Sequence, residues 1–260
     1  MDLVEWTIQR RVDGGTARAG FTRRRGGVSR GEYSSLNVGP HVGDSVEAVA
    51  ENRRLLSEYL GCEPAWMEQV HGAHMAEASP GATSEQTDGL VLSGPGVAAC
   101  VMVADCVPLL LLGKGALRGA AVHVGRAGLM KGIAARAVDA LGGDAGDLTA
   151  VVGPSICGRC YEVSEAMSGE AARVTPSSAA QTWWGTPSID IPAGLEEQLR
   201  ALGVADIVID GRCTLEDADF YSHRRSSREG LRAGRFVGVL QFLGDTPVRP
   251  RQGEGIRHIP

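Results

Sequence analysis

Apolar residues in this chain fall mostly in short runs bounded by Gly, Pro or Asp. The runs at 65–71, 88–92, 97–104, 108–112, 119–124, 148–153, 207–210 and 236–243 read as strands. Three other stretches carry helical periodicity. Asp44-Ser45-Val46-Glu47 has the form of a capping box, and the helix it opens is expected to turn Val46, Val49, Ala50 and Leu60 inward. Gly128 to Leu141 sets Leu129, Ile133, Ala137 and Leu141 on one face, and Gly142-Gly143 stops it. Asp190 can cap a helix with Pro192 in its first turn and Leu195, Leu199 and Leu202 inward, ending at Gly203. Consecutive strands followed by mixed strands and helices predict an α/β or α+β fold, with layered mixed sheets and flanking helices rather than a βαβ repeat. Segment 168–188 is rich in Ala, Ser, Thr and Pro and reads as a weakly ordered surface connection, in which Trp183-Trp184 must pack somewhere. No internal repeat or domain boundary is visible, so residues 1–260 are expected to form a single domain.

Composition removes several function classes. Hydrophobic content of 43% and charged content of 22% are ordinary for a soluble globular protein. A net charge of −5 argues against general nucleic-acid binding, which needs a basic face. The N-terminal MDLVEWTIQRRVDGG is charged throughout and lacks the apolar segment of a signal peptide. The longest apolar run, Val97 to Leu112, is broken by Asp105 and Pro108, so no membrane span is expected. Six cysteines in 260 residues are too few for a disulfide scaffold, and a reduced, cytoplasmic protein is the better reading.

The candidate chemistry centres on His71 in QVHG, Cys106 in ADCVP and His123 in AVHVG. Each lies where an apolar extended run meets a Gly or Pro turn. Two imidazoles and a thiolate suit zinc and leave a fourth position open, the mark of a catalytic rather than a structural site. They are far apart in sequence, so the residues alone leave two other readings open. One is a core cysteine with two hydrogen-bonded histidines; the other is a cysteine nucleophile activated by His71 or His123. Asp105 adjoins Cys106 but points the other way in extended backbone, and is a candidate for proton transfer or for capping a turn. Glu162 is a weaker candidate of the same kind. Cys157 and Cys160 form a CxxC with no second CxxC to complete a zinc site, so they read as structural, as do Cys62, Cys100 and Cys213. His41 and His74 have no assigned role. Arg126 and Arg225 are the anion-binding candidates among the many arginines, because guanidinium forks suit phosphate. Walker, HExxH and GxSxG motifs are absent.

The segments FTRRRGGVS (21–29), SLNVG (35–39), HVGD (41–44), ENRRLL (51–56), QVHG (69–72), ADCVPLLL (104–111), AVHVG (121–125), GPSICGRCYEV (153–163) and FYSHRR (220–225) occur in the order found in one family. The chain resembles the YfiH-type family, labelled multicopper polyphenol oxidase or laccase-like and also described as purine nucleoside phosphorylase. The resemblance implies zinc held by His71, Cys106 and His123, and Arg24, at the family's arginine position, joins the anion-pocket candidates; Asn37 in SLNVG either hydrogen-bonds substrate or holds an αL turn. Three departures bear on substrate and anion recognition, one of them Cys157-Gly158-Arg159 where the block before CYEV usually has a Gly-Pro character. HVGRAG (123–128) puts Arg126 where the family often has an aromatic and Ala127 where an arginine is common, and Ala193-Gly194 stands where an asparagine is common.

The implied activity is zinc-dependent phosphorolysis of adenosine, inosine, guanosine or methylthioadenosine, with adenosine deamination as a further activity. Copper at the same ligands, acting on phenols, is the oxidoreductase alternative, although only six histidines are available to hold several coppers. A partner-binding member that has lost the substrate site is the non-enzymatic alternative.

Overall fold

The apolar runs build two six-stranded sheets that pack face to face. The computed structural model describes residues 2–245, so Met1 and 246–260 of the expected single domain lie outside the described residues. In chain order the strands are β1 (Val4–Val12), β2 (Gly15–Thr22), β3 (Pro64–Met67), β4 (Met75–Glu77), β5 (Thr83–Ser84), β6 (Gly89–Leu92) and β7 (Ala98–Val103). They continue with β8 (Val107–Gly113), β9 (Gly119–Val124), β10 (Leu148–Val152), β11 (Ala179–Gln181), β12 (Pro187–Ile189), β13 (Asp206–Ile209) and β14 (Phe236–Gly244). The helices are α1 (Val46–Leu60), α2 (Arg126–Met130), α3 (Ile133–Leu141), α4 (Glu165–Val174), α5 (Ile191–Ala201) and α6 (His223–Arg228).

One sheet has the order β1-β2-β14-β7-β3-β5 and the other β13-β10-β8-β9-β6-β4, both with parallel and antiparallel pairs. Between them lies a core of Phe21, Met67, Val101, Leu110, Leu112, Val151, Leu240 and Phe242. Helix α1 covers the outer face of the first sheet, setting Leu56 and Leu60 against Cys100, Met102, Val237 and Val239. Helices α2, α3 and α5 cover the outer face of the second, with Leu129, Ile133, Leu195 and Leu199 against Leu109, Leu111 and Val122. The result is a helix–sheet–sheet–helix stack of layered mixed sheets. Strand β8 is buried on both faces, which explains its unbroken apolar run. Each leucine so buried contributes about 1.5–3 kcal/mol.

Several local expectations need correction. The N-terminal hairpin β1–β2 lies outside the predicted strands, because β1 is a half-solvated edge strand whose apolar positions alternate with charges. In α1, Ser45 is the cap, accepting from the Ala48 amide, but Val46 and Ala50 face solvent; Asn52 and Leu56 turn inward instead. The helix expected over Gly128–Leu141 is two helices, separated where Gly132 adopts φ 70°. Segment 168–188 is ordered as α4 and the β11–β12 ribbon. Trp183 and Trp184 are 62% and 51% exposed and lie against the guanidinium groups of Arg159 and Arg228 rather than in the core. The Asp190 cap is as expected, accepting from the Ala193 amide.

Candidate metal centre

The antiparallel register of β8 and β9 pairs Pro108 with His123, and Cys106 immediately precedes β8. Strand β6 pairs with the other edge of β9, and the Asp88 carbonyl just before it accepts the His123 amide at 2.7 Å. Strand β3 ends at Met67, short of the run expected to reach residue 71, so His71 sits in the following turn with φ 57°. An L-residue rarely adopts that conformation. The Asp88 carboxylate holds it, accepting from the amides of Val70, His71 and Gly72 at 3.2, 3.0 and 2.7 Å. A second turn of this kind, Asp105 with φ 89°, delivers Cys106.

These elements bring one donor atom each of His71, Cys106 and His123 within 4.8 Å of one another. The Cys106 Sγ lies 3.7 Å from His71 Nε2. Zinc at ordinary Zn–S and Zn–N lengths would place two tetrahedral ligands about 3.6 Å apart. The His123 Nδ1 hydrogen-bonds Asp88 Oδ1 at 2.8 Å, leaving Nε2 to face the centre. A buried carboxylate fixing the ring of a ligating histidine is the usual outer partner of a metal site. The donor set therefore fits a soft divalent metal.

The electrostatics prepare the Cys106 thiolate and keep His123 protonated, so a metal must displace the His123 proton. Burial opposes ionisation of the Cys106 thiol, but His123 and His71 together bring it down to about 6. Burial likewise works against His123⁺, and Cys106 with Asp88 raises it to about 9. Burial disfavours the Asp88 carboxylate too, yet His123 and the turn amides hold it below its ordinary range.

Two lobes of a pocket meet at His71, Cys106 and His223, with volumes of about 310 and 340 Å³. His41, Gln69, Met102, His123 and Arg235 line the first. Asp105, Ile156, Tyr161, Ile191 and Arg224 line the second. A separate groove of about 550 Å³ bordered by Glu5, Trp6, Arg23 and Tyr59 shares no lining residue with them.

The other predicted site residues are placed differently. Asp105 is buried, with its carboxylate accepting from the Thr214 hydroxyl at 2.7 Å and the Arg224 amide at 2.6 Å, so it anchors the turn before Cys106. Arg24 donates to the carbonyls of Ser34 and Glu32. Arg225 donates to the carbonyls of Thr214, Leu215, Asp217 and Phe220. Both guanidinium groups staple loops. Asn37 is fully buried, binding the amides of Gly39 and Arg235 and the Asp44 carboxylate. Arg126 opens α2, with Nη1 3.7 Å from the Glu170 carboxylate. Glu162 offers its backbone oxygen to Arg224. His74 is exposed, whereas His41 lines the pocket. Asp88, Arg235, His223 and Tyr161 were missed as site residues. Asp88 reads in sequence as a turn residue opening a strand, and only the sheet register sets it beside His123.

Fold and site together define a layered α/β protein with a His-Cys-His centre at the sheet ends, inside a two-lobed pocket. The chain belongs to the family described as multi-copper polyphenol oxidoreductase laccase, whose model matches residues 18–242. A relative named purine nucleoside phosphorylase in Streptomyces coelicolor is 45% identical over 84% of this chain and 94% of its own. A Neisseria meningitidis protein of the DUF152 family superposes with a TM-score of 0.84 at 27% identity, covering 94% of this chain and 100% of that one. YfiH of Bacillus licheniformis shares the fold, with a TM-score of 0.77 at 24% identity over 90% of this chain and 99% of its own. Among the described residues, no helix is long and apolar enough to cross a membrane.

Proposed function

We propose that the chain is a zinc-dependent purine nucleoside phosphorylase, converting a purine nucleoside and phosphate to the free base and ribose 1-phosphate. The observation that carries the reading is the convergence of His71, Cys106 and His123 in a pocket that Arg235 also lines. The name of the Streptomyces coelicolor relative supports the reaction class. Adenosine, inosine, guanosine and methylthioadenosine are the substrates to test.

Zinc held by the three ligands would supply a Lewis acid able to polarise phosphate, or to activate water for adenosine deamination. Asp88 keeps His123 in the tautomer that presents Nε2. Arg235 is the phosphate contact in this reading because it lines the pocket, whereas Arg24 and Arg225 line neither lobe. The Arg235 Nη1 donates to the carbonyls of Ala233 and Gly234, just before β14. The lobe lined by Ile156, Tyr161 and Ile191 offers one aromatic and two aliphatic side chains to a purine. Asp105 acts as a positioning residue, and Arg126 contributes positive charge near Tyr161.

Oxidation by several coppers needs several clusters of histidine ligands. Among the described residues, the His71–Cys106–His123 group brings together only two histidines, so the phosphorylase reading is preferred. The test is ribose 1-phosphate formation from inosine and adenosine with and without phosphate. Phosphate-dependent product supports the proposal; phenol oxidation without nucleoside cleavage overturns it.

A further inference from the structure

A second group of soft donors lies outside this pocket. One donor atom each of Cys157, Cys160, Cys213 and Glu216 falls within 4.8 Å of the others. Their sequence is Cys157-Gly158-Arg159-Cys160 and Cys213-Thr214-Leu215-Glu216, so CxxC is matched by CxxE. Both are tight turns of one kind. The Cys160 amide donates to the Cys157 carbonyl at 2.9 Å, and the Glu216 amide to the Cys213 carbonyl at 3.1 Å. The turns lie side by side, joined by a parallel bridge between Ser155 and Cys213. The Cys157 amide donates to the Cys213 Sγ at 3.4 Å, which favours a thiolate there, while burial pushes the Cys213 and Cys160 thiols up overall.

The spacing suits a tetrahedral ion. Cys160 Sγ and Glu216 Oε1 are 3.5 Å apart, and ligands on one zinc are separated by about 3.6–3.8 Å. All three cysteines are free thiols. Cys160 and Cys213 are buried with Ile156, while Cys157 and Glu216 lie nearer the surface, giving an ion an entry path. Three thiolates with a carboxylate select zinc over hard cations.

We propose that Cys157, Cys160, Cys213 and Glu216 form a second, structural zinc site. Four protein ligands close the coordination sphere, unlike the open three-ligand centre. Its place in the fold gives it a function. Ile156, next to Cys157, donates its amide to the Asp105 carbonyl at 3.0 Å, and Thr214, next to Cys213, donates its hydroxyl to the Asp105 carboxylate at 2.7 Å. Asp105 precedes Cys106, so the clamp fixes the turn that delivers the thiolate of the first centre.

The test is metal content and cobalt spectroscopy on the full-length Cys106→Ala variant, which removes the only thiolate of the first centre. The inference expects about one zinc per chain to remain and, after cobalt exchange, an intense sulfur-to-cobalt charge-transfer band. Combining Cys106→Ala with Cys157→Ser and Cys213→Ser should remove both metal and band. A metal-free Cys106→Ala protein overturns the inference, as does a disulfide among Cys157, Cys160 and Cys213 in reduced wild type, or iron in place of zinc. If the triple variant does not fold, the band in Cys106→Ala still decides, because no other thiolate cluster could produce it among the described residues. The phosphorylase reading can fail while this outcome stands, since the measurement needs no nucleoside.

Discussion

The Asp88 carboxylate accepts the Nδ1–H of His123 at 2.8 Å, and the same carboxylate takes three consecutive amides from Val70 to Gly72. One buried side chain thus positions two of the three donors: His123 through its ring and His71 through its backbone. Asp88→Asn should lower zinc affinity at the centre about 10- to 100-fold, the range for losing the outer partner of a ligating histidine. Competition with a chromophoric chelator measures this, and an unchanged affinity would show that Asp88 serves the turn alone.

Metal binding should depend on pH in a stated direction. The folded protein holds His123 protonated up to about 9 and Cys106 ionised down to about 6. Between those values zinc must displace one proton, from His123, so apparent affinity should rise about tenfold per pH unit. Above about 9 the dependence should flatten. Below about 6 it should steepen, because Cys106 must also lose its proton. An affinity independent of pH between these limits would contradict the assigned ionisation states.

Gly125 sits against the centre. A Cβ there would lie 2.7 Å from His71 Cδ2 and 3.1 Å from Cys106 Sγ, although the backbone at φ −86° accepts any residue. Gly125→Ala should therefore reduce zinc occupancy while leaving the circular dichroism and the melting behaviour of the apo-protein close to wild type. Full zinc occupancy in that variant would mean the ligands can move aside.

Arg235 and Arg126 make different predictions for phosphate. Losing a charge-assisted hydrogen bond costs about 1.5–3 kcal/mol, or about 10- to 150-fold. Arg235→Ala should raise the KM for phosphate by that factor. Arg126→Ala should change it less, because its guanidinium already faces Glu170. The reverse order would move the anion site to the start of α2.

The three clustered donors were legible as candidates in sequence because His71, Cys106 and His123 each end or begin an apolar run. Cys157 and Cys160 read as structural in sequence, because no second CxxC follows; their grouping with Cys213 and Glu216 appears only in the fold. Asp88, Arg235 and Tyr161 were not legible: each enters the site through strand register or loop packing between distant segments. Arg24, Asn37 and Arg225 were expected to contact substrate, and the structure occupies them with backbone partners. In sequence, a guanidinium that holds carbonyls looks the same as one that holds phosphate. The layered sheets followed from the apolar runs, whereas the β1–β2 hairpin escaped because an edge strand keeps one polar face.

The central claim is phosphorolysis at the His71–Cys106–His123 centre. The most direct measurement compares ribose 1-phosphate formation from inosine by wild type and Cys106→Ala, with zinc content determined on the same samples. The account predicts phosphate-dependent product from wild type, and from Cys106→Ala no product and about one zinc fewer per chain. Equal turnover by the two proteins, or a wild type that carries zinc but releases no ribose 1-phosphate from any purine nucleoside tested, would contradict it.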